Sequence, residues 1–444
     1  MKKNTGRLAA FLTAVMIVLP LGGCGAADIG EIQPNAPAAD TTVPEVTQNE
    51  AQAADPAAAA APAENAPAEK PAEQPGSPDE SKEPRESKDV PAADPNRPTS
   101  GTATVHLLCA GDNLIHDNIY VEAEQLGGGK YDFHSMYEEV KPYVQKADIA
   151  ILNQETLVND KFEAATYPTF STPTEDGDAV VDLGFNVISM SNNHVLDRGS
   201  EGLIASLDYW DTKDVVHYGA YRDTEDSENI RTKTVNGVTF AFLGYMEHTN
   251  GFFLDDDEPG KVVYLDEDVT IKQQIERAKE IADVVVVSCH FGTEVEHEIN
   301  AQQQTMAPEL ADWGADLIIG TQAHCVSTCG YVTGENGHRA FCYYGLGNFF
   351  HTMYDRHSAV GIFGDLDITY DFATDEVTFE NIKAIPTISH FEADSFDSMW
   401  YNCKVYPLAT YTDEMFARNF NDGITREQAM ECLDCIPSTY LSIE

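Results

Sequence analysis

Val105-His106-Leu107-Leu108-Cys109-Ala110-Gly111-Asp112-Asn113 is an apolar run that stops on a polar tip, and the pattern returns four more times along the chain. Residues 149–152 stop at Asn153-Gln154-Glu155, and residues 186–190 lead to Asn192-Asn193-His194. Residues 284–287 lead to Cys289-His290-Phe291-Gly292, and residues 317–319 to Gly320-Thr321-Gln322-Ala323-His324. Short continuous apolar runs of this kind read as buried strands. Helical spacing separates them, so the chain predicts an α/β fold. In such a fold strand ends converge on one edge of the sheet. Tips far apart in sequence then assemble one cluster rich in Asp, Glu, Asn and His, a ligand set for a divalent metal.

Working outward, residues 135–146 carry helical spacing at Met136, Val140 and Tyr143, with Pro142 placed to kink or shorten the helix. Residues 175–183, 200–210, 271–282 and 302–313 read as helices, the second with Leu203, Ile204, Leu207 and Trp210 on one face. Asn236-Gly237 between Val235 and Val238 marks a hairpin turn. After Gly320 the character changes, and residues 330–333, 340–344, 360–370 and 377–384 read as an antiparallel set with Gly and Asp turns. This order predicts two mixed sheets packed face to face with helices outside, formed by a domain over residues 101–388. Residues 389–444, with weaker periodicity, are expected as a C-terminal extension.

The first quarter is of another kind. Lys2, Lys3 and Arg7 precede an apolar stretch over residues 8–21, the pattern of a secretory signal. Leu21-Gly22-Gly23-Cys24 resembles a bacterial lipobox, which predicts a signal peptide over residues 1–23 and acylation of Cys24. Acyl chains partition at about 0.8 kcal/mol per buried methylene, so the expectation is an exported lipoprotein on the extracytoplasmic side of the cell membrane. Residues 24–100 are then a lipidated Cys and an Ala/Pro/Glu-rich tether, too poor in apolar side chains to offset chain entropy. The formal charge of −47 opposes phosphate backbones and argues against nucleic acid as a partner, while favouring bound divalent cations. Of nine cysteines, Cys109, Cys289 and Cys342 lie in or at the end of apolar runs and read as buried thiols. Cys325 with Cys329, and Cys432 with Cys435, are spaced to invite pairing in an exported protein, and Cys403 has no obvious partner. The unequal spacing and wide separation of these pairs argue against a paired-CxxC zinc site.

Taken singly, each tip has a structural reading. Asp112 could be a turn residue or cap, Asn193 and Asp197 could cap the following helix, and His290 could be a hydrogen-bonded core histidine. Gly345 and Gly347 lack the spacing of a nucleotide loop and read as sites of close strand approach. The joint recurrence of the tips at strand ends favours the metal reading.

The motifs Gly111-Asp112, Asn153-x-Glu155, Asn193-His194 followed by Asp197 and Gly199, His290-x-Gly292-x-Glu294, Gly320 to His324 and Tyr344-Gly345-Leu346-Gly347-Asn348-Phe349 stand in one particular order. From residue 105 to about 350 this order resembles the CapA family of poly-γ-glutamate capsule synthesis proteins, itself similar to calcineurin-like metallophosphoesterases. The resemblance implies a four-layer α/β/β/α sandwich. It also implies Asp112 and Glu155 as anionic ligands, with Glu155 bridging two ions, Asn193 ligating through its amide oxygen, and His290 and His324 through imidazole. His116 is a further candidate ligand, and His194 the general acid or electrophile. Asn153, Asp197, Glu294 and Asn348 complete the implied site. Mixed oxygen and nitrogen donors suit one or two ions of Mn, Fe or Zn. Such ions serve hydrolysis of a phosphoester, or amide hydrolysis or transfer on a γ-glutamyl polymer. The implied partners are the membrane, through the lipid anchor, and poly-γ-glutamate or its membrane synthase. Two departures stand out: Gln322 and Ala323 take the first two places of the family's usual His-Pro-His run, and Phe291 replaces the usual Trp. A site short of one imidazole also fits a non-catalytic envelope subunit or polymer-binding scaffold, and the anchor and tether alone would fit a solute-binding lipoprotein.

Overall fold

Alternate residues of the strand Thr102–Asn113 divide between two cores. Val105, Leu107 and Cys109 face a core between two sheets, whereas Leu108 and Ala110 face a core under helices. A strand segment buried on both faces needs apolar residues at every position, which is why Leu107 to Ala110 reads as an uninterrupted run. Ile149–Asn153 and Val187–Ser189 divide in the same way and pair parallel to it in turn. In the computed structural model, which describes residues 97–443, these strands belong to an eight-stranded sheet. Its order from one edge is Tyr401–Pro407, Glu376–Glu392, Val360–Asp371, Thr102–Asn113, Ile149–Asn153, Val187–Ser189, Val216–Tyr218, with Asn348–Phe350 pairing the end of Thr102–Asn113. The six-stranded sheet runs Cys329–Thr333, Arg339–Tyr343, Leu317–Gln322, Val284–Phe291, Val238–Met246, Arg231–Val235.

Helices Asp117–Leu126, Thr174–Leu183 and Gly199–Trp210 cover the first sheet through Ile119, Ala123, Val180, Leu203 and Leu207. Asp268–Ile281 and Ala301–Trp313 cover the second through Ile271, Ile275, Ala307 and Leu310. The result is the four-layer α/β/β/α sandwich. The expected lipobox, the expected acylation of Cys24 and the tether up to residue 96 lie outside the described residues, while Arg97, in the last four residues of the expected tether, pairs with Asp283. Among the described residues no helix is long and apolar enough to cross a membrane.

Several expectations need correction. The helix expected over residues 135–146 is broken into His134–Tyr137, a 3-10 turn Glu138–Val140, and Lys141–Val144. Pro142, without an N–H, is accommodated in the first turn of the last piece. The polar tips at Asp112 and Gln322 lie inside strands, because glycine lets the backbone run on beside another chain segment. A Cβ on Gly111 would stand 1.8 Å from the Gly347 carbonyl oxygen, and one on Gly320 would stand 2.1 Å from that of Tyr344. The antiparallel set is split between the sheets: Cys329–Thr333 and Arg339–Tyr343 pair in one, Val360–Asp371 and Glu376–Glu392 in the other. The boundary drawn at residue 388 falls within Glu376–Glu392. Tyr401–Pro407 extends the same sheet, and Leu408, Tyr411, Phe416, Leu433 and Ile436 complete the core between the sheets. The eight cysteines of the described residues are all free thiols. Cys432 and Cys435 are not paired, their Sγ atoms being directed at the carbonyl oxygens of Arg356 and Val326.

Candidate metal centre

Parallel strands deliver the candidate residues to one place. Register sets Asp112 opposite Asn153 and Asn348, and Asn153 opposite Ser189, so the first sheet ends its strands together. In the second sheet Thr321 stands opposite His290. Glu155 and Asn193 follow two of the first sheet's strands, and His324 follows Leu317–Gln322. Asp112, Glu155, Asn193, His290 and His324 are all buried. Donor atoms of Asp112, Glu155 and His324 lie within 4.8 Å of one another.

The contacts interlock. Asn153 Nδ2 donates to Asp112 Oδ1 at 2.7 Å, and His324 Nδ1 lies 3.2 Å from Asp112 Oδ2. His290 Nε2 is 3.1 Å from Asn193 Oδ1 and 3.6 Å from Glu155 Oε1, while its Nδ1 is held by Thr321 Oγ1 at 2.8 Å. That second contact fixes the ring, the usual arrangement behind a ligating imidazole. Asn348 Oδ1 lies 3.0 Å from His324 Nδ1, and the Gln322 backbone N–H donates to Asp112 Oδ2. Gln322 and His324 both have positive φ, 92° and 56°, so the turn that aims His324 is held in a conformation side chains disfavour.

Glu155 decides whether these residues fit a cation. Its carboxylate is 1% exposed, and neither oxygen has a hydrogen-bond partner among the described residues. An unpaired buried carboxylate is among the costliest groups a fold can keep. Burial and the neighbouring Asp112 charge push the Glu155 pKa well above the usual range. Burial acts the same way on Asp112, but the hydrogen bond from His324 and the charge on His324 outweigh it and bring its pKa down. Burial lowers His290 to about 3, leaving a neutral ring. Burial also disfavours charge on His324, yet Glu155 and Asp112 overcome it and hold its pKa at about 10. His324 thus carries as a proton the positive charge held beside Asp112 and Glu155, and a divalent cation would substitute for it. The donor set fits.

His194 stands beside this cluster. Its Nδ1 bonds Asp197 Oδ2 at 2.8 Å, the same oxygen accepts the Phe170 N–H at 2.6 Å, and the Phe170 ring meets the imidazole edge-on at 4.8 Å. Asp197 therefore engages Nδ1 and not Nε2. Asn193 and Asp197 do not cap the next helix, whose N-cap is Arg198.

A model of the family described as Bacterial capsule synthesis protein PGA_cap matches residues 106–353, more than half of the chain. The chain belongs to this family. It is 30% identical over 230 residues to "Capsule biosynthesis protein CapA" of Bacillus anthracis, covering 50% of this chain and 54% of the relative. It is 30% identical over 244 residues to "PGA biosynthesis protein CapA" of Bacillus subtilis (strain 168), covering 54% and 61%. The chain thus spans little more than half the length of these curated relatives. Among solved structures it is similar to a phosphatase from Mycoplasma pneumoniae (14% identity, 64% of this chain, 94% of that one, TM-score 0.41). It is also similar to the NAD nucleotidase of Haemophilus influenzae (13% identity, 77% and 58%, TM-score 0.41).

Within this PGA_cap chain, the remaining expected site residues separate. Exposed Glu294 reaches only Gln322 Nε2, at 3.4 Å. His116 lies outside the cluster of ligand atoms, with its Nδ1 on the Leu114 carbonyl at 3.0 Å, and burial lowers its pKa to about 4. Gln322, standing where the family's run begins, has its amide oxygen buried without a partner. Sequence reasoning passed over Asn250, which reaches Asn193 Nδ2 through Oδ1 at 3.3 Å and His194 Nδ1 through Nδ2 at 3.4 Å. Its one signal was the Asn250-Gly251 turn dipeptide. Phe170 was also missed, since nothing in a proline-flanked loop announces a wall for a distant imidazole.

Proposed function

We propose that this protein is an exported, lipid-anchored, metal-dependent hydrolase of the cell envelope that acts in the synthesis or anchoring of poly-γ-glutamate capsule. The observation that carries the catalytic part is the buried Glu155 carboxylate, unpaired in the midst of Asp112, Asn193, His290 and His324. Cations of the Mn, Fe or Zn class held by these five residues would supply Lewis-acid polarisation of a phosphoryl or carbonyl oxygen and a water made nucleophilic near neutral pH.

The chain's own residues do the rest. Asn153 orients Asp112, and Thr321 orients His290. Asp197 anchors Nδ1 of His194 and turns Nε2 to the substrate, where it serves as general acid by passing a proton to the leaving oxygen or nitrogen. The Phe170 ring, packed edge-on, limits rotation of that imidazole. The family membership and the names of the CapA relatives support a γ-glutamyl polymer as substrate or cargo. Such a polymer is a polyanion and this chain is strongly acidic, so bridging cations are needed between them.

The test uses purified protein loaded in turn with Mn, Fe or Zn and offered an aryl phosphodiester and poly-γ-glutamate. Metal-dependent turnover that falls by about a hundredfold or more in His194→Ala is expected. Inert protein under every ion condition overturns the catalytic reading. The replacement of the family's imidazole by Gln322 favours a second reading, a non-catalytic envelope subunit. In that case His194→Ala leaves the cellular capsule phenotype unchanged while polymer binding persists.

A further inference from the structure

Outside that centre, three segments distant in sequence bring metal-ligating side chains together. His297 lies between Val284–Phe291 and Ala301–Trp313, His357 between Asn348–Phe350 and Val360–Asp371, and Cys432 immediately after the helix Arg426–Glu431. One donor atom from each lies within 4.8 Å of the other two. We propose that His297, His357 and Cys432 form a second metal site, selective for a borderline-soft divalent cation of the zinc class.

The geometry of His297 is that of a ligand in waiting. Its Nδ1 donates to the Val326 carbonyl at 2.7 Å, which fixes the tautomer and leaves the Nε2 lone pair facing His357 Nδ1 at 3.4 Å. Two ring nitrogens so placed converge either on one proton or on one cation. Cys432 is 5% exposed, and its Sγ makes only a 3.9 Å contact with the Arg356 carbonyl oxygen. The three groups border a cavity of about 260 Å³ lined also by Arg356, Gln428 and Glu431. There is room there for a cation and a fourth ligand, water or the Glu431 carboxylate. A thiolate with two imidazoles matches the His and Cys donors of tetrahedral zinc and is a poor set for magnesium, calcium or manganese. As the sulfur–metal bond forms, the thiol proton leaves to solvent. Burial keeps His297 below its ordinary pKa, so its ring meets the cation neutral.

Such an ion would be a clip. Glu294 precedes His297 by three residues, and His357 lies in the loop that follows the strand Asn348–Phe350, whose Asn348 contacts His324, so the site ties two loops near the principal centre to the C-terminal helix. The assignment does not rest on the hydrolase reading, since none of the five ligands proposed there is a cysteine.

The test loads full-length, reduced protein with cobalt(II) and records its electronic spectrum. A thiolate-to-cobalt charge-transfer band is expected in the wild type and in Asp112→Asn, and is expected to vanish in Cys432→Ser. Zinc content is expected to fall by one ion per chain in Cys432→Ser. His357→Gln, at an exposed position that does not threaten folding, is expected to weaken cobalt binding about tenfold or more. Absence of the band in reduced wild-type protein means a proton, not a cation, joins the two histidines, and overturns the proposal. Survival of the band in Cys432→Ser overturns it as well.

Discussion

Asp112 and Asn113 are neighbours in one strand, as Gln154 and Glu155 are after the next, yet each pair divides between two polar clusters of opposite character. Asn113 and Gln154 join Tyr137 and Asp176 in a closed network. Tyr137 Oη donates to Asp176 Oδ1 at 2.5 Å, and Asn113 Nδ2 donates to Gln154 Oε1 at 2.9 Å and Asp176 Oδ2 at 3.1 Å. Asp112 and Glu155, equally buried, lie in a cluster that leaves both Glu155 oxygens unpaired. A closed network fixes how strands and helices meet, whereas an open one marks where an ion is expected. Burial and polarity are the same in both, so only the count of partners tells architecture from chemistry.

The comparison breaks most sharply at Glu155. Glu155→Gln is expected to weaken divalent-ion binding about a hundredfold, removing about 2.3 of the roughly 2.7 kcal/mol of stabilisation at an ion concentration a hundred times the wild-type Kd, measured by calorimetry. Melting in chelator is expected to be no lower than wild type, because an unpaired buried carboxylate is removed. A lower melting temperature in chelator would show that Glu155 is paired after all. In the closed network the order reverses. Asp176→Ala strands Asn113, Gln154 and Tyr137, and is expected to cost about 2 kcal/mol in urea unfolding with ion affinity largely kept. Between the two, Asn153→Ala frees Asp112 from its 2.7 Å hydrogen bond and is expected to weaken ion binding about tenfold with little change in folding.

A half-exposed ion pair outside both clusters gives the smallest effect. Hydrogen bonding to Asp365, joined by Asp367 and opposed by burial, raises His106 to about 9. A folded-state pKa above the ordinary one of about 6.5 means that the stabilisation is complete below that pH and is lost as pH rises through about 9. With solvent screening, a loss of about 1 kcal/mol is expected in urea midpoints between pH 6 and pH 10, and His106→Gln is expected to flatten that slope.

Much of this was legible in the chain because strand periodicity and burial are local in cause. Leu107 to Ala110 had to be apolar at every position to serve two cores, and the polar end that follows had to sit where parallel strands finish. Less legible was anything that depends on how loops meet. Pro142 announced a break but not its three-part form. Gly111 and Gly320 looked like strand stops, since a carbonyl 2 Å from a missing Cβ leaves no trace in sequence. Asn250, and the meeting of His297, His357 and Cys432, arise from connections whose paths are set by packing. Spacing rules built on paired cysteines exclude a two-pair site without revealing one built from a single thiol.

The recognisable family segment stops at residue 353, but the eight-stranded sheet goes on to Pro407 and the space between the sheets is filled as far as Ile436. What evolution marks as a relative is therefore shorter than what physics requires to fold. A gene trimmed to the matched stretch would yield a polypeptide with a bare sheet edge and an unlidded apolar interior, prone to self-association.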